Sequence, residues 1–173
     1  TEVGGDLSFK SIDELDQSIE TLQSSISAYT AGSDTYRTDV LNGANQLLND
    51  IVGKRDELKT LYTTLDSLYS GSPKFIKLEV TQQDIDNLLN EINTLTSNAY
   101  KNDLLSKISS LQEDYNLKES KLSAVEALET QITEYKNHLD ILPLTPEQKQ
   151  TIVDELDSYN ESKTTEINES TSI

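Results

Sequence analysis

The sequence predicts an all-α protein, an elongated antiparallel bundle of about five helices with coiled-coil-like packing. Three observations support this fold class. Apolar residues recur at alternating steps of three and four, which places them along one side of each helix. Only 34% of the 173 residues are apolar, a shortage that a bundle with little interior tolerates better than a compact domain. Short stretches rich in Gly, Pro, Ser or Thr separate the apolar segments.

The first helix is predicted to run from Ile12 to about Tyr29. Ser11 and Glu14 mark its start with a capping-box pattern, in which a hydroxyl and a carboxylate accept hydrogen bonds from free backbone N–H groups. The residues of its apolar seam are Ile12, Leu15, Ile19, Leu22, Ile26 and Tyr29. We expect this seam to pack against a partner helix.

A second, longer helix is predicted after a break that contains glycine, with Ser33 or Asp34 as its N-cap. The residues of its seam are Leu41, Ala44, Leu48, Ile51, Leu58, Tyr62, Leu65 and Tyr69, with Arg55 at one further seam position. Gly43 and Gly53 interrupt the helix, and each is either a tolerated defect or a sign of a hinge or a close backbone approach. The segment 71–73 ends the helix, because proline cannot continue the hydrogen-bond ladder.

Residues 75–80 form the one strand-like stretch of the sequence. In it Ile76, Leu78 and Val80 alternate with charged residues. Two interpretations are open: an edge to which a partner adds a strand, or an extended connector whose three apolar side chains cover the end of the bundle. We expect the connector, and we treat it as the boundary between two halves of the chain.

The second half is predicted to contain three helices. Thr81 and Asp84 cap the first of them, whose apolar residues are Ile85, Leu88, Leu89, Ile92 and Leu95. The next is long, and its apolar residues include Leu104, Ile108, Leu111, Tyr115, Leu122, Val125, Ile132 and Leu139. Lys118 interrupts its pattern, and a break near Asn116 is an open alternative. The last helix is predicted to start with Thr145 as cap and Pro146 as first residue.

These elements predict four segments: an N-terminal helical hairpin (1–72), an extended connector (73–80), a second helical module (81–142), and a further helix and tail (143–173). Residues from Val80 to Leu95 match residues from Leu144 to Tyr159 at a constant offset of 64 positions. The first helix shows a weaker match to the third. These matches leave open whether the chain is an array of related helical modules.

Charge and residue types argue against several classes of function. The 31 acidic and 14 basic residues give a formal charge of −17, which repels nucleic acids and anionic membrane surfaces. The chain has no cysteine and a single histidine, His138, so it offers no disulfide, thiolate nucleophile or thiolate metal site. No apolar run approaches the roughly 18 residues of a membrane helix. We expect a mature fragment that does not insert into membranes.

No pattern of residues indicates a catalytic, cofactor or metal site. The acidic residues near Asp13 and near Asp84 lack the glycine turn and the twelfth-position glutamate of a calcium loop. We interpret them as negative charge at helix N-termini, where the helix dipole favours it. No spacing singles out a pair of carboxylates for acid–base chemistry. We therefore predict no enzymatic activity, no cofactor and no metal.

Tyrosine is the residue type that indicates a binding surface. The chain contains eight tyrosines and two phenylalanines, and tyrosine is favoured at interface rims because its ring buries area while its hydroxyl stays hydrated. Four of the tyrosines fall on predicted seams. Of the others, we predict Tyr36, Tyr135 and Tyr159 as residues of a protein-binding face, for a partner whose identity the sequence does not reveal.

The start of the second half combines three short motifs. Thr81 to Asp86 has the form T-x-x-x-I-D, an asparagine-leucine helix end follows at residues 93–95, and a lysine-leucine helix begins with residues 101–105. In these features the chain resembles the small helical repeats of Gram-positive surface proteins and secreted virulence proteins. The resemblance covers about thirty residues of the 173. It implies a spacer or stalk module in a wall-anchored adhesin.

We therefore expect a non-catalytic structural or protein-binding helical module, a stalk, spacer or adhesin domain, of a bacterial surface or secreted protein. Its expected location is extracellular, at the cell surface. The alternative is a self-associating coiled-coil assembly protein of a phage or an intracellular scaffold. A monomer or weak homo-oligomer favours the first interpretation, because its seams are covered within one chain. Oligomerisation through the seam of the first helix favours the second.

Overall fold

The computed structural model describes residues 11–29, 35–96 and 99–170. Over these residues the chain forms five α-helices and one pair of very short strands. The helices are α1 (Ile12–Ala28), α2 (Thr35–Ser67), α3 (Gln82–Thr94), α4 (Ala99–Leu139) and α5 (Pro146–Glu169), and the strands are β1 (Tyr69–Ser70) and β2 (Phe75–Ile76). The predicted fold class, all-α with about five helices, is confirmed.

Three helices begin at the predicted N-caps. The hydroxyl groups of Ser11, Thr81 and Thr145 each accept a hydrogen bond from the backbone N–H three residues on, in α1, α3 and α5. In each case the side chain at that third position accepts a hydrogen bond from the backbone N–H of the cap residue. The three predicted capping boxes are therefore confirmed. The predicted cap of α2, Ser33 or Asp34, lies outside the described residues.

The chain divides into two compact units, residues 1–109 and residues 110–173. The division falls inside α4, which is one uninterrupted helix. The alternative of a break near Asn116 is therefore wrong, since the polar residues there lie within a continuous hydrogen-bonded helix.

In the first unit, α1 packs against α2. Asp16 near the start of α1 pairs with Arg55, well past the middle of α2, so the two helices run antiparallel. Ile19 and Leu48 are buried in this hairpin. The heptad pattern also assigned Ile51 to the seam, but Ile51 is exposed. A pair of helices covers only a narrow strip of each surface, and positions at the edge of that strip stay in contact with water.

The best-buried core of the first unit is formed by three helical segments: the second half of α2, all of α3 and the first turns of α4. Its side chains are Leu58, Leu61, Leu65, Val80, Ile85, Leu88, Ile92, Tyr100, Leu104 and Ile108. Two of them, Ile92 and Leu104, are 0% exposed. A third helix makes this degree of burial possible, because it covers the side that two helices leave open.

A small β-hairpin connects α2 to α3. Tyr69 pairs with Ile76 and Ser70 pairs with Phe75 in antiparallel register. Gly71 in the turn has a φ of 80°, a left-handed conformation that glycine adopts without steric cost.

The expectation of an extended connector between residues 75 and 80 is only partly correct. Val80 is buried as expected, but Leu78 is 75% exposed, so the three apolar side chains do not share one covering role. The first two residues of the segment pair with β1 instead. Strand alternation predicted a common direction for the three side chains, and the tight turn after β2 removes that regularity.

The second unit contains an antiparallel hairpin of helices, built from the remainder of α4 and from α5. Lys136 pairs with Asp157, and Lys121 donates a 2.7 Å hydrogen bond to the carbonyl oxygen of Asn168. Residues further along α4 therefore contact residues nearer the start of α5, which shows that the two helices are antiparallel. Leu111, Lys118, Ile132 and Leu139 on α4 are buried, whereas α5 contributes no buried side chain.

At two helix connections, a lysine in the first turn of one helix donates hydrogen bonds to carbonyl oxygens at the end of the preceding helix. Lys101 in the first turn of α4 donates to the carbonyl oxygens of Asn93 and Leu95, at 2.8 and 3.0 Å. Lys149 in the first turn of α5 donates to the carbonyl oxygen of Asp140, at 2.9 Å. The last carbonyl groups of a helix have no partner within the helix, so these ammonium groups satisfy acceptors and complement the negative end of the helix dipole.

Candidate functional site

The structure places two of the three predicted binding tyrosines in the second unit. Tyr135 lies on α4 and Tyr159 on α5, and they are 60% and 52% exposed. Tyr36 lies in α2 of the first unit, and its side chain is outside the described part of the chain. Tyr135 and Tyr159 therefore belong to one hairpin of the second unit, and Tyr36 belongs to the first unit.

Helix geometry puts the two exposed rings on the same side of the α4–α5 hairpin. We take Ile132 on α4 and Leu156 on α5 as the positions that face each other. A residue three positions later in a helix is rotated by about −60° around the helix axis, and these residues are Tyr135 and Tyr159. Because the helices are antiparallel, equal rotations carry Tyr135 and Tyr159 toward the same side. The Lys136–Asp157 ion pair lies on the opposite side and brings the two tyrosines to about the same level.

Apolar and acidic side chains surround these rings. By the same geometry Leu128 and Ile152, both half-buried, lie on this side of the hairpin, together with Glu155. We call the surface formed by Tyr135, Tyr159, Leu128, Ile152 and Glu155 the tyrosine face. The ammonium group of Lys163 lies 5.9 Å from the ring centre of Tyr159, within the range of a cation–π contact.

A second apolar surface, which the sequence analysis did not single out, lies on α2 in the first unit. Val40, Leu47 and Ile51 are all exposed, and Leu47 is exposed to 64%. Their spacing of seven and four residues places them on one stripe of the helix. Part of the signal was present in the sequence, because Ile51 was assigned to the predicted seam, whereas Val40 and Leu47 were not. We call this surface the α2 stripe.

Charged residues bridge α1 and α2 at the seam position that Arg55 occupies. The guanidinium group of Arg55 pairs with Asp16 on α1, and its Nε lies 2.7 Å from a carboxylate oxygen of Asp56. Lys59 adds a weaker contact to Asp16, at 3.8 Å. A polar contact inside an apolar seam favours one register of the two helices, so this cluster has a structural role.

A tyrosine hydroxyl joins α2 to α4 within the first unit. Tyr62 donates a 2.7 Å hydrogen bond to the Oδ2 atom of Asp103. Burial of the ring raises the pKa of Tyr62 well above its usual value, and the hydrogen bond to the Asp103 carboxylate raises this pKa further. The hydroxyl therefore keeps its proton at neutral pH and acts as a hydrogen-bond donor.

Lys118 on α4 is the buried cation of the second unit. It is 8% exposed, and its ammonium group lies 3.2 Å from a carboxylate oxygen of Glu119 and 4.6 Å from the ring centre of Tyr115. The carboxylate and the aromatic ring both stabilise the positive charge. The long aliphatic part of the side chain fills the apolar position that the sequence pattern had shown as interrupted.

The carboxylates with shifted acidity belong to helix starts. Hydrogen bonds from the side chain and then the backbone of Thr81 lower the pKa of Asp84. The pKa of Glu147 is lowered by its own backbone N–H and then by the side chain of Thr145. Both carboxylates are engaged in helix capping. His138, in the last turn of α4, has its Nδ1 atom 2.8 Å from the carbonyl oxygen of Glu134.

Among the described residues, no group of three or more His, Asp and Glu side chains is arranged to hold a metal ion. The surface depressions are shallow, and two of them follow the face of a single helix, at residues 56–64 and at residues 126–134. No helix in the described ranges has an apolar stretch long enough to cross a bilayer.

Over the described residues the chain is an all-α helical protein, and its exposed apolar side chains include members of the tyrosine face and the α2 stripe. Comparison with known proteins adds no family assignment: no family model, no curated protein and no solved structure matches the chain.

Proposed function

We propose that the chain is a non-catalytic helical module that serves as a stalk, spacer or protein-binding domain of a bacterial surface or secreted protein. The observation that carries this proposal is the three-segment core of α2, α3 and α4. Its side chains are buried within a single chain, so the module needs no second copy to cover them. Such a module folds alone and can be placed in series with others.

We further propose that the packing is coiled-coil-like and the molecule elongated. Both units contain a hairpin of two long antiparallel helices, and their seams follow the spacing of three and four residues that two-helix packing requires. The thin hairpins leave many apolar side chains half-buried. A thin structure also accounts for a chain in which only 34% of residues are apolar.

An extracellular location at the cell surface is supported by the residue types. The chain contains neither cysteine nor methionine, the two residue types whose sulfur atoms are oxidised most readily. The repulsive charge of −17 also opposes nonspecific association. The resemblance of the segment from Thr81 to Leu105 to Gram-positive surface repeats points in the same direction.

Light scattering after size-exclusion chromatography, combined with small-angle X-ray scattering, tests the proposal. We expect a monomer of 19.3 kDa with a radius of gyration well above the roughly 16 Å of a compact domain of this length. A compact monomer would contradict the stalk, and a stable dimer or trimer would contradict a module that folds alone.

The α2 stripe favours a second candidate, a self-associating coiled-coil assembly protein. An exposed apolar row beside a two-helix seam is the surface through which two hairpins form a four-helix bundle. If the chain is an oligomer, Leu47→Asp should convert it to a monomer. Leu78→Asp is the matched control, because Leu78 is equally apolar and exposed but lies outside the stripe.

A further inference from the structure

The helices α3 and α5 have matching sequences, but their apolar side chains are buried to very different extents. α3 and α5 begin with the same capping box, and at the offset of 64 positions Leu88 corresponds to Ile152 and Ile92 to Leu156. Leu88 and Ile92 are 2% and 0% exposed, whereas Ile152 and Leu156 are only half-buried. The same apolar pattern is therefore fully covered in the first unit and partly open in the second.

The difference has an identifiable cause in the first unit. α3 packs against α2 and is followed by the start of α4, where Tyr100, Leu104 and Ile108 are buried. These three residues are spaced by four, so they form one side of the helix. Within residues 110–173, α5 has α4 as its neighbour in a hairpin, and no third helix is described there.

The charge of the covering helix is also informative. Residues 99–109 carry two lysines and one aspartate, a net charge of +1, in a chain of net charge −17. Lys101 of this segment donates to the carbonyl oxygens of Asn93 and Leu95 at the end of α3, and α3 has three acidic residues and no basic one. The second unit holds 14 acidic residues and five lysines, a net charge of −9. A partner for its open side gains from carrying positive charge.

We propose that the tyrosine face binds a positively charged amphipathic helix of a partner protein. Bound there, the helix completes a three-helix arrangement like that of α2, α3 and the start of α4. This inference rests on the proposed protein-binding function and specifies its site and its partner.

The geometry of the tyrosine face specifies which side chains the partner helix carries. Apolar side chains at every fourth position lie between Tyr135 and Tyr159 and contact Leu128 and Ile152, as expected for a helix that docks in a groove. Basic side chains at its flank meet Glu155. The two rings supply large, rigid contact area at small cost in side-chain entropy, which is why tyrosine is common at binding hot spots.

A second copy of this chain fits the face less well. Each copy carries a net charge of −17, and like charges across an interface oppose association. A basic helix removes this repulsion and reduces the negative potential of the hairpin.

A synthetic peptide provides the probe. It has the sequence of residues 96–112 of this chain with Asp103→Lys, which keeps Tyr100, Leu104 and Ile108 and has a charge of +3 from three lysines and no acidic residue. A second peptide keeps the same apolar residues but carries Lys101→Glu and Lys107→Glu. Each fluorescent peptide is titrated with the full chain, and binding is followed by fluorescence anisotropy.

We expect the basic peptide to bind at least about tenfold more tightly than the acidic one. The double variant Tyr135→Ala, Tyr159→Ala removes both rings without changing the charge, and it should weaken binding of the basic peptide by at least about tenfold. The matched control is Tyr29→Ala, since Tyr29 is an exposed tyrosine of the first unit, and it should leave binding unchanged. Circular dichroism of each variant confirms that helix content is retained, and the single variant Tyr135→Ala replaces the double variant if it is not.

Three outcomes would overturn the proposal: no binding of the basic peptide at millimolar concentration, equal affinity for both peptides, or equal binding by the native chain and the tyrosine variant. The mass of the free chain is measured in the same samples. A dimer that the tyrosine variant converts to monomer would show a second copy on the face, which also overturns the proposal. A dimer that persists in this variant but is lost with Leu47→Asp would contradict the proposed monomeric module instead, so the two failures are distinguishable.

Discussion

Replacing Tyr62 with phenylalanine should destabilise the first unit by a predictable amount. The substitution keeps the ring and removes the hydroxyl group that donates a 2.7 Å hydrogen bond to Asp103. A hydrogen bond to a charged acceptor contributes about 1.5–3 kcal/mol to stability. The Asp103 side chain is 29% exposed and has Lys107 at 3.8 Å, so water and the lysine can replace part of the lost contact. We therefore expect a loss of about 1–1.5 kcal/mol, at or just below the lower limit of that range.

The same hydrogen bond predicts a dependence on pH. Because burial and the Asp103 carboxylate raise the pKa of Tyr62 in the folded chain, the unfolded chain releases this proton first, near the ordinary tyrosine value of about 10. The stabilising contribution of Tyr62 is thus fully present below about pH 10 and decreases as the pH rises above it. The stability difference between the native chain and Tyr62→Phe should shrink in that range.

Urea unfolding followed by circular dichroism measures both effects, at about pH 8 and again above about pH 10. A double-mutant cycle with Asp103→Asn isolates the interaction, and we expect a coupling of about 1 kcal/mol. The reasoning would be refuted if Tyr62→Phe were as stable as the native chain within about 0.3 kcal/mol. It would also be refuted if the stability difference did not change with pH.

Three further tests concern other parts of the fold, each measured by urea unfolding. Thr145→Ala should cost about 1 kcal/mol through loss of the α5 cap, with Thr145→Ser close to the native value. Gly43→Ala and Gly53→Ala should each stabilise α2 by about 0.5–1 kcal/mol, because an added Cβ meets no atom within 4 Å at either site; a loss of stability would indicate a hinge. Ile92→Ala should cost about 3 kcal/mol, because the residue is fully buried. Leu122→Ala, at an exposed position of α4, should cost less than about 1 kcal/mol, and equal losses at Ile92 and Leu122 would contradict the assigned core.

The helix starts could be predicted because capping is local. Ser11, Thr81 and Thr145 lie three residues before the groups they contact, so the sequence contains the whole interaction. The same holds for the periodic seams, whose spacing follows from helix geometry alone. These features predicted five helices without knowledge of how the helices are arranged.

Contacts between distant residues could not be predicted in the same way. Tyr62 and Asp103 are 41 positions apart, and each is unremarkable beside its sequence neighbours. Arg55 was noticed as a charge at a seam position, but its partner Asp16 depends on how α1 aligns with α2. The β-hairpin was missed because each strand has two residues, too few for alternation to show.

The tyrosine face was partly accessible from the sequence. Composition pointed to tyrosine, and Tyr135 and Tyr159 do lie on one side of a hairpin in the second unit. Tyr36 was grouped with them because it also flanks a helix, and it lies in α2 of the first unit. The α2 stripe was missed because only one apolar row was assigned to α2, which placed Ile51 on the seam and left Val40 and Leu47 unassigned.

The lysines at the two helix connections have a practical consequence for chemical labelling. Amine-reactive dyes and crosslinkers remove the positive charge or the donor hydrogens of the ammonium groups they modify. At Lys101 and Lys149 those groups donate hydrogen bonds to carbonyl oxygens at the ends of α3 and α4, so heavy labelling would remove these contacts at both helix connections. Because the chain has no cysteine, a single thiol introduced at an exposed position such as Leu78 offers a conjugation site that leaves both connections unmodified.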